Sequence, residues 1–188
     1  VRSNLHTLSI IGHGQPERKG SRGFNRLCFG IPFRWAGLGR PVGTLRRYGL
    51  DHAAIRAVNE RIVYVSCTGF GQRGPLAHRK GYDTIFQAMG GIMSLTGERE
   101  GPPVKPGLPV AYLTSGLWVA IAILTGLAGR AAHGRGCHID FSMLDGQIAL
   151  LTLAAARYFA LGEVPPRLGT EHPGRVPSAS FLCADGGY

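Results

Sequence analysis

Apolar and polar positions change rhythm several times along this chain, and each change marks a different element. Residues 61–67 (RIVYVSC) form a short run of β-branched and aromatic side chains ending in Thr68-Gly69-Phe70-Gly71, which predicts a buried strand followed by a loop. Just before it, Asp51 precedes HAAIRAVN, where Ala54, Ile55 and Val58 share one helical face, so Asp51 reads as a helix cap. Residues 44–48 predict a shorter helix closed by Gly49. Residues 83–96 (DTIFQAMGGIMSLT) predict another helix with Asp83 near its start, and the Gly90-Gly91 pair inside it implies close packing or a bend.

Beyond a proline-rich connector, residues 116–134 predict a long apolar helix capped by Thr114 or Ser115 and stopped by Gly134. Its unbroken apolar stretch is shorter than the roughly 20 residues that cross a bilayer, so the expectation is a buried core helix and no membrane. CHIDFSML then predicts a strand, and residues 145–161 a final helix ended by Gly162, Pro165 and Pro166. Strands alternating with helices predict an α/β fold with a largely parallel sheet.

Composition fits a folded chain, with 44% hydrophobic and 17% charged residues over 188 positions. The net charge of +10 raises nucleic acid as a partner, but its distribution argues otherwise. Nine Lys/Arg against one acid fall in residues 1–50, and twelve against ten in the rest, with no basic helical stripe. Four cysteines without a CxxC, and no His-x3-His, predict neither a disulfide framework nor a metal site; a cytoplasmic location is expected. GxSxG is absent, and GxG alone does not support dinucleotide binding.

Three segments in order carry a more specific signal: VYVSCTGFGQRGPLAHRKGYDTIFQAMGGIMSLTG, then GPPVKPGLPVAYLTSG, then GRGCHIDFSMLDGQIALL. Together with RPVGTLRRYGLD they resemble the N-terminal half of the class III CoA-transferases, the CaiB/BaiF or formyl-CoA transferase type, over residues 41–188. The resemblance implies a Rossmann-like, largely parallel sheet flanked by helices, incomplete relative to the longer family chains, so that this one is expected to end mid-domain. It also implies acyl-CoA and carboxylic acid substrates, with coenzyme A carried as a thioester, and a homodimer.

The family's nucleophile is an aspartate in a P-[VI]-A-D-x-[TS]-[TS]-G segment. Pro109-Val110-Ala111 and Thr114-Ser115-Gly116 match it, but the nucleophile position is Tyr112. The chemistry needs a carboxylate, which attacks the thioester as a nucleophile and, once acylated, serves as an electrophile; a phenol cannot form the anhydride. Tyr112 therefore reads as a substituted catalytic position or as a packing aromatic. The resemblance places Asp83 beside the active site and Lys80, Arg47 and Tyr82 toward CoA, cations being suited to its phosphates. Tyr82 stands where related racemases have a histidine, which favours a transferase ancestry. The alternatives are surface charges for Lys80 and Arg47, and for Asp83 an acid at a helix N-terminus.

Residues 1–40 match nothing in the family and lack periodicity; a shifted reading frame or an added extension would account for them. Two functions stand: a CoA-transferase homologue whose activity Tyr112 puts in question, or a non-catalytic binding or assembly subunit paired with a full-length homologue.

Overall fold

The computed structural model describes residues 42–188. The unmatched segment 1–40 lies outside them. Two strands, β1 (Val63–Thr68) and β2 (Cys137–Ser142), pair in parallel from Val63 opposite Cys137 to Thr68 opposite Ser142. A parallel pair needs a crossover, supplied here by helices α2 (Asp83–Met89), α3 (Ile92–Leu95) and α4 (Val110–His133). A 3-10 helix (Leu45–Tyr48) and α1 (His52–Val58) precede β1, while α5 (Met143–Ala149) and α6 (Thr152–Leu161) follow β2. The α/β class with parallel strands expected from the sequence is the one observed.

Strand alternation gives the sheet two unlike faces. Val63, Val65 and Cys67 of β1 alternate in step with Cys137, Ile139 and Phe141 of β2, and this apolar face meets α4. Phe86, Ala111 and Met143 form the core beneath its carboxyl end, with Cys67, Phe70, Tyr112, Phe141 and Leu144 packed around them. Tyr64, Ser66, Thr68, His138, Asp140 and Ser142 occupy the other face.

Local chemistry sets most helix ends as expected. The Asp51 carboxylate accepts from Ala54 N at 3.1 Å, and Gly49, Gly134 and Gly162 close their helices in the left-handed conformation. Several boundaries differ. Residues 83–96 form two helices, split where Gly91 adopts a φ of +88° and Gly90 packs against Gln147. Residues 145–161 are likewise split: α5 starts at Met143, with Ser142 Oγ accepting from Asp145 N at 3.2 Å, and α6 starts at Thr152. The apolar face of α1 is not buried, and Val58 is 88% exposed.

The long helix differs most. It begins at Val110 with Pro109 at its cap, so Thr114 and Ser115 lie inside it. Their hydroxyls donate back to Val110 O at 2.7 Å and Ala111 O at 2.6 Å, the bonds such residues make within a helix. Nor is α4 buried all round. Ala111, Ser115, Val119, Ile123 and Gly126 face inward, while Leu113, Leu117, Ile121 and Leu124 on the opposite side are more than half exposed. At 24 residues it is long and apolar enough to cross a membrane by length and composition, yet its inner stripe packs on the sheet, α2 and α5.

Candidate functional site

Helix α4 runs antiparallel to the strands, because a short turn returns its C-terminus to the start of β2. Its N-terminus therefore lies at the carboxyl end of the sheet, where open parallel sheets hold their ligands. Pro109 has no side chain able to cap this end. Asp83 does so from another helix: its Oδ1 accepts from the backbone N–H of Tyr112 at 3.0 Å. Asp83 is 9% exposed and stands in the first turn of α2, so the N-termini of two helices meet at one carboxylate. Gln87, one turn along α2 and fully buried, donates its amide to Asp83 Oδ2. The same Nε2 lies 3.4 Å from Leu108 O. The connector, α2 and the first turn of α4 are thus bound to one another at the Tyr112 position.

The loop between β1 and α2 is fixed by Phe86. Its ring sits against Gly69 and Gly81, where a Cβ would lie 2.6 Å and 2.5 Å from Cζ, so neither position accepts a side chain without displacing the ring. Phe70 meets the ring edge-on at 5.3 Å. Gly69 O accepts from Leu144 N at 3.1 Å, and Gln72 N donates to Asp140 Oδ2 at 2.9 Å. The Gly69–Gln72 turn thus holds the loop to β2 and α5.

The predicted residues fall in unlike surroundings. Tyr112 is half-buried and packs against the Phe86, Ala111 and Met143 cluster. Asp83 and Tyr112 are brought together. Lys80 and Tyr82 precede Asp83 in the chain and are exposed, Tyr82 by 75%. Arg47 is exposed on the 3-10 helix, which is tied to β1 near its start through Tyr64 and Leu50. No hydrogen bond or ion pair among the described residues joins Arg47, Lys80 or Tyr82 to Asp83 or Tyr112. The ion pairs among the described residues are Arg99–Glu171 and Arg157–Glu163.

Sequence reasoning passed over two features. Gln147 is fully buried and donates to Thr114 Oγ1 at 3.0 Å, and the Oε1 atoms of both Gln87 and Gln147 have no hydrogen-bond partner among the described residues. On the outer face of the sheet, His52 stacks on His138 at 4.5 Å, and Tyr64 meets His138 edge-on at 5.4 Å. Burial, then Arg56, lowers the His52 pKa; burial, then His52 itself, lowers that of His138. Burial pushes the Cys67 thiol up to about 12, with Asp140 adding to the effect. Among the described residues no group of three or more His, Cys, Asp or Glu side chains is placed to hold a metal ion.

Parallel strands crossed over by helices, with the N-terminus of α4 anchored by a buried acid at their carboxyl edge, define an α/β domain. The family is shown by comparison: the sequence profile described as CoA-transferase family III matches residues 39–188, and the chain belongs to that family. A succinate–glutarate CoA-transferase of Agrobacterium fabrum is 43% identical over 142 residues, covering 76% of this chain and 36% of the relative. The mouse succinyl-CoA:glutarate CoA-transferase is 42% identical over 144 residues, covering 77% and 33%. The crystal structure of a CaiB/BaiF family protein from Brucella suis superposes with a TM-score of 0.73 at 42% identity, over 78% of this chain and 39% of that one. The chain spans about a third of the length of the curated relatives it matches.

Proposed function

We propose that this chain is the part of a class III CoA-transferase that carries the nucleophile position and a CoA-contacting face, and that Tyr112 leaves it without acyl-transfer chemistry of its own. The observation that carries this reading is the placing of Tyr112. It lies in the first turn of α4 at the carboxyl edge of the sheet, its backbone held by Asp83, inside the family's segment Pro109-Val110-Ala111-Tyr112-Leu113-Thr114-Ser115-Gly116.

Transfer begins when a carboxylate attacks the thioester carbonyl, forming a mixed anhydride and releasing CoA thiolate. The thiolate then attacks the enzyme's own carbonyl, forming a protein thioester and releasing the first acid. An acceptor carboxylate attacks the protein thioester, expelling CoA thiolate and forming a second anhydride. The thiolate then attacks the acceptor's carbonyl, giving the new acyl-CoA and freeing the enzyme carboxylate. Each step needs a carboxyl carbon at position 112, and tyrosine has none. Asp83 is a poor substitute, because both of its oxygens are occupied by donors and it is buried.

CoA enters as a substrate. Exposed Lys80 near the site and Arg47 further along suit its phosphates, which lie at the far end of a long molecule from its thioester. Tyr82, two residues beyond Lys80 and exposed, belongs to the same CoA-contacting face in this reading. The relatives named above for succinate and glutarate, together with an acetyl-CoA:oxalate CoA-transferase of Acetobacter aceti at 41% identity, support small dicarboxylic acids as the substrate class. A cytoplasmic location, and pairing as a homodimer or with a full-length paralogue, belong to the same reading.

Tyr112 also favours a second reading, a non-catalytic subunit that binds CoA beside an active homologue. Assay of succinyl-CoA to glutarate transfer separates the two. The first reading expects no transfer by the natural chain and measurable transfer by Tyr112→Asp. No transfer by either, with co-purification of a full-length paralogue, favours the second.

A further inference from the structure

Among the described residues, little apolar packing holds the segment that carries Arg47. No residue of the 3-10 helix or of α1 is buried, and Leu50 and Val58 are both exposed. Among the described residues, specific side-chain contacts join it to the sheet. Tyr64 OH donates to Leu50 O at 2.8 Å, and Leu50 N in turn donates to Leu45 O at 3.0 Å, linking the strand to the 3-10 helix. His52, the first residue of α1, lies face to face with His138 of β2 at 4.5 Å and 20° between planes. Tyr64 completes the stack against both rings, at 5.6 Å from His52 and 5.4 Å from His138. Ser66 Oγ lies 2.8 Å from His138 Nε2 and fixes that ring on the sheet.

We propose that the His52–His138–Tyr64 stack is an acid-sensitive clasp that docks residues 45–58, and with them Arg47, onto the outer face of the sheet. Two imidazoles stacked at this distance are attractive while neutral and repel once both are protonated. Protonation also costs the solvation that stacking has removed. The Ser66 contact survives protonation, since a charged ring donates to the hydroxyl, so release comes from the stacked faces.

The charges facing the stack from its surroundings act in both directions. On α1 and its cap these are Arg56 and Asp51; on β2, Asp140; on the loop after β1, Arg73. The carboxylates favour the charged rings and the guanidinium groups oppose them, and with burial the outcome for both histidines is a lowered pKa. A histidine whose folded value lies below its ordinary 6.5 binds fewer protons when docked than when free. Docking is therefore complete above about pH 6.5 and weakens as the pH falls below it. Beyond residue 58 the chain is held separately: Arg61 Nη1 donates to Gly134 O at 3.0 Å and Arg130 Nη1 to Arg61 O at 3.2 Å. Release is thus confined to the arm. The consequence for CoA rests on the proposed role of Arg47; the clasp does not.

Hydrogen exchange of the natural chain between pH 5 and 7.5, corrected for intrinsic rates, tests it. The amides of residues 45–58 should exchange several-fold faster at the acid end, while β1 and α4 keep their protection. The His52→Gln/His138→Gln variant should lose that pH dependence. Protection of the arm that does not change with pH, or a loss shared equally by β1 and α4, overturns the proposal. Should the variant fail to fold, imidazole titrations of the natural chain by NMR decide: both midpoints below 6.5 support the clasp, and both at or above it overturn it. CoA affinity falling with acid alongside arm release supports the Arg47 reading as well. Arm release with CoA binding unchanged, or with no CoA binding at any pH, upholds the clasp and removes Arg47 from a CoA site.

Discussion

Asp83 and Tyr112 are joined by a single bond, from the Tyr112 backbone N–H to Asp83 Oδ1 at 3.0 Å, across 29 residues of chain. Because the bond is made by the backbone, it does not depend on which side chain occupies position 112. The backbone frame at position 112 is therefore set by Asp83 whatever side chain stands there. Asp83 acts here as the cap that Pro109 cannot supply.

Replacing Asp83 with alanine should leave the Tyr112 N–H without its acceptor and the buried Gln87 amide with only its long contact to Leu108 O. A loss of about 2–3 kcal/mol in urea unfolding is expected, with Asp83→Asn costing less because an acceptor oxygen remains. Stability of Asp83→Ala within experimental error of the natural chain would contradict the capping role.

Gly81→Ala places a methyl group 2.5 Å from the Phe86 ring. Overpacking of this kind costs about 1–3 kcal/mol. Trimming the ring with Phe86→Leu should make the same glycine substitution less costly than it is in the natural background. Additive losses in that double-mutant cycle would show that Gly81 and Phe86 are not in energetic contact.

Cys67 and Cys183 should separate on alkylation. Burial pushes the Cys67 thiol up to about 12, so at pH 8 almost none of it is thiolate, whereas Cys183 is exposed. Iodoacetamide at pH 8 should label Cys183 in the native chain and leave Cys67 unmodified until denaturant is added, as read by peptide mass mapping. Prompt native labelling of Cys67 would contradict its packing against the Phe86, Ala111 and Met143 cluster.

What the sequence made legible was local chemistry. The run of β-branched residues marked β1, Asp51 marked a cap, and glycines 49, 134 and 162 marked helix ends, because each effect acts within a few residues. Gly90-Gly91 implied close packing or a bend, and both occur: Gly90 packs against Gln147 and the helix breaks at Gly91. The start of α4 was misread because Thr114-Ser115 resembles a cap, although both hydroxyls bond back within the helix. Resemblance to the family singled out positions 83 and 112, yet their hydrogen bond is tertiary and has no local sign. The same holds for the stack of His52 on His138, which strand pairing brings within reach, and for the burial of Gln87 and Gln147.

Intact mass after incubation with succinyl-CoA tests the central claim most directly, because it reads the covalent step on the chain itself. The account predicts no adduct on the natural protein and, on Tyr112→Asp, an adduct of CoA less water that hydroxylamine removes. A hydroxylamine-labile CoA adduct on the natural chain, or equal adducts on both, would contradict the claim that Tyr112 has removed the chemistry from an otherwise retained site.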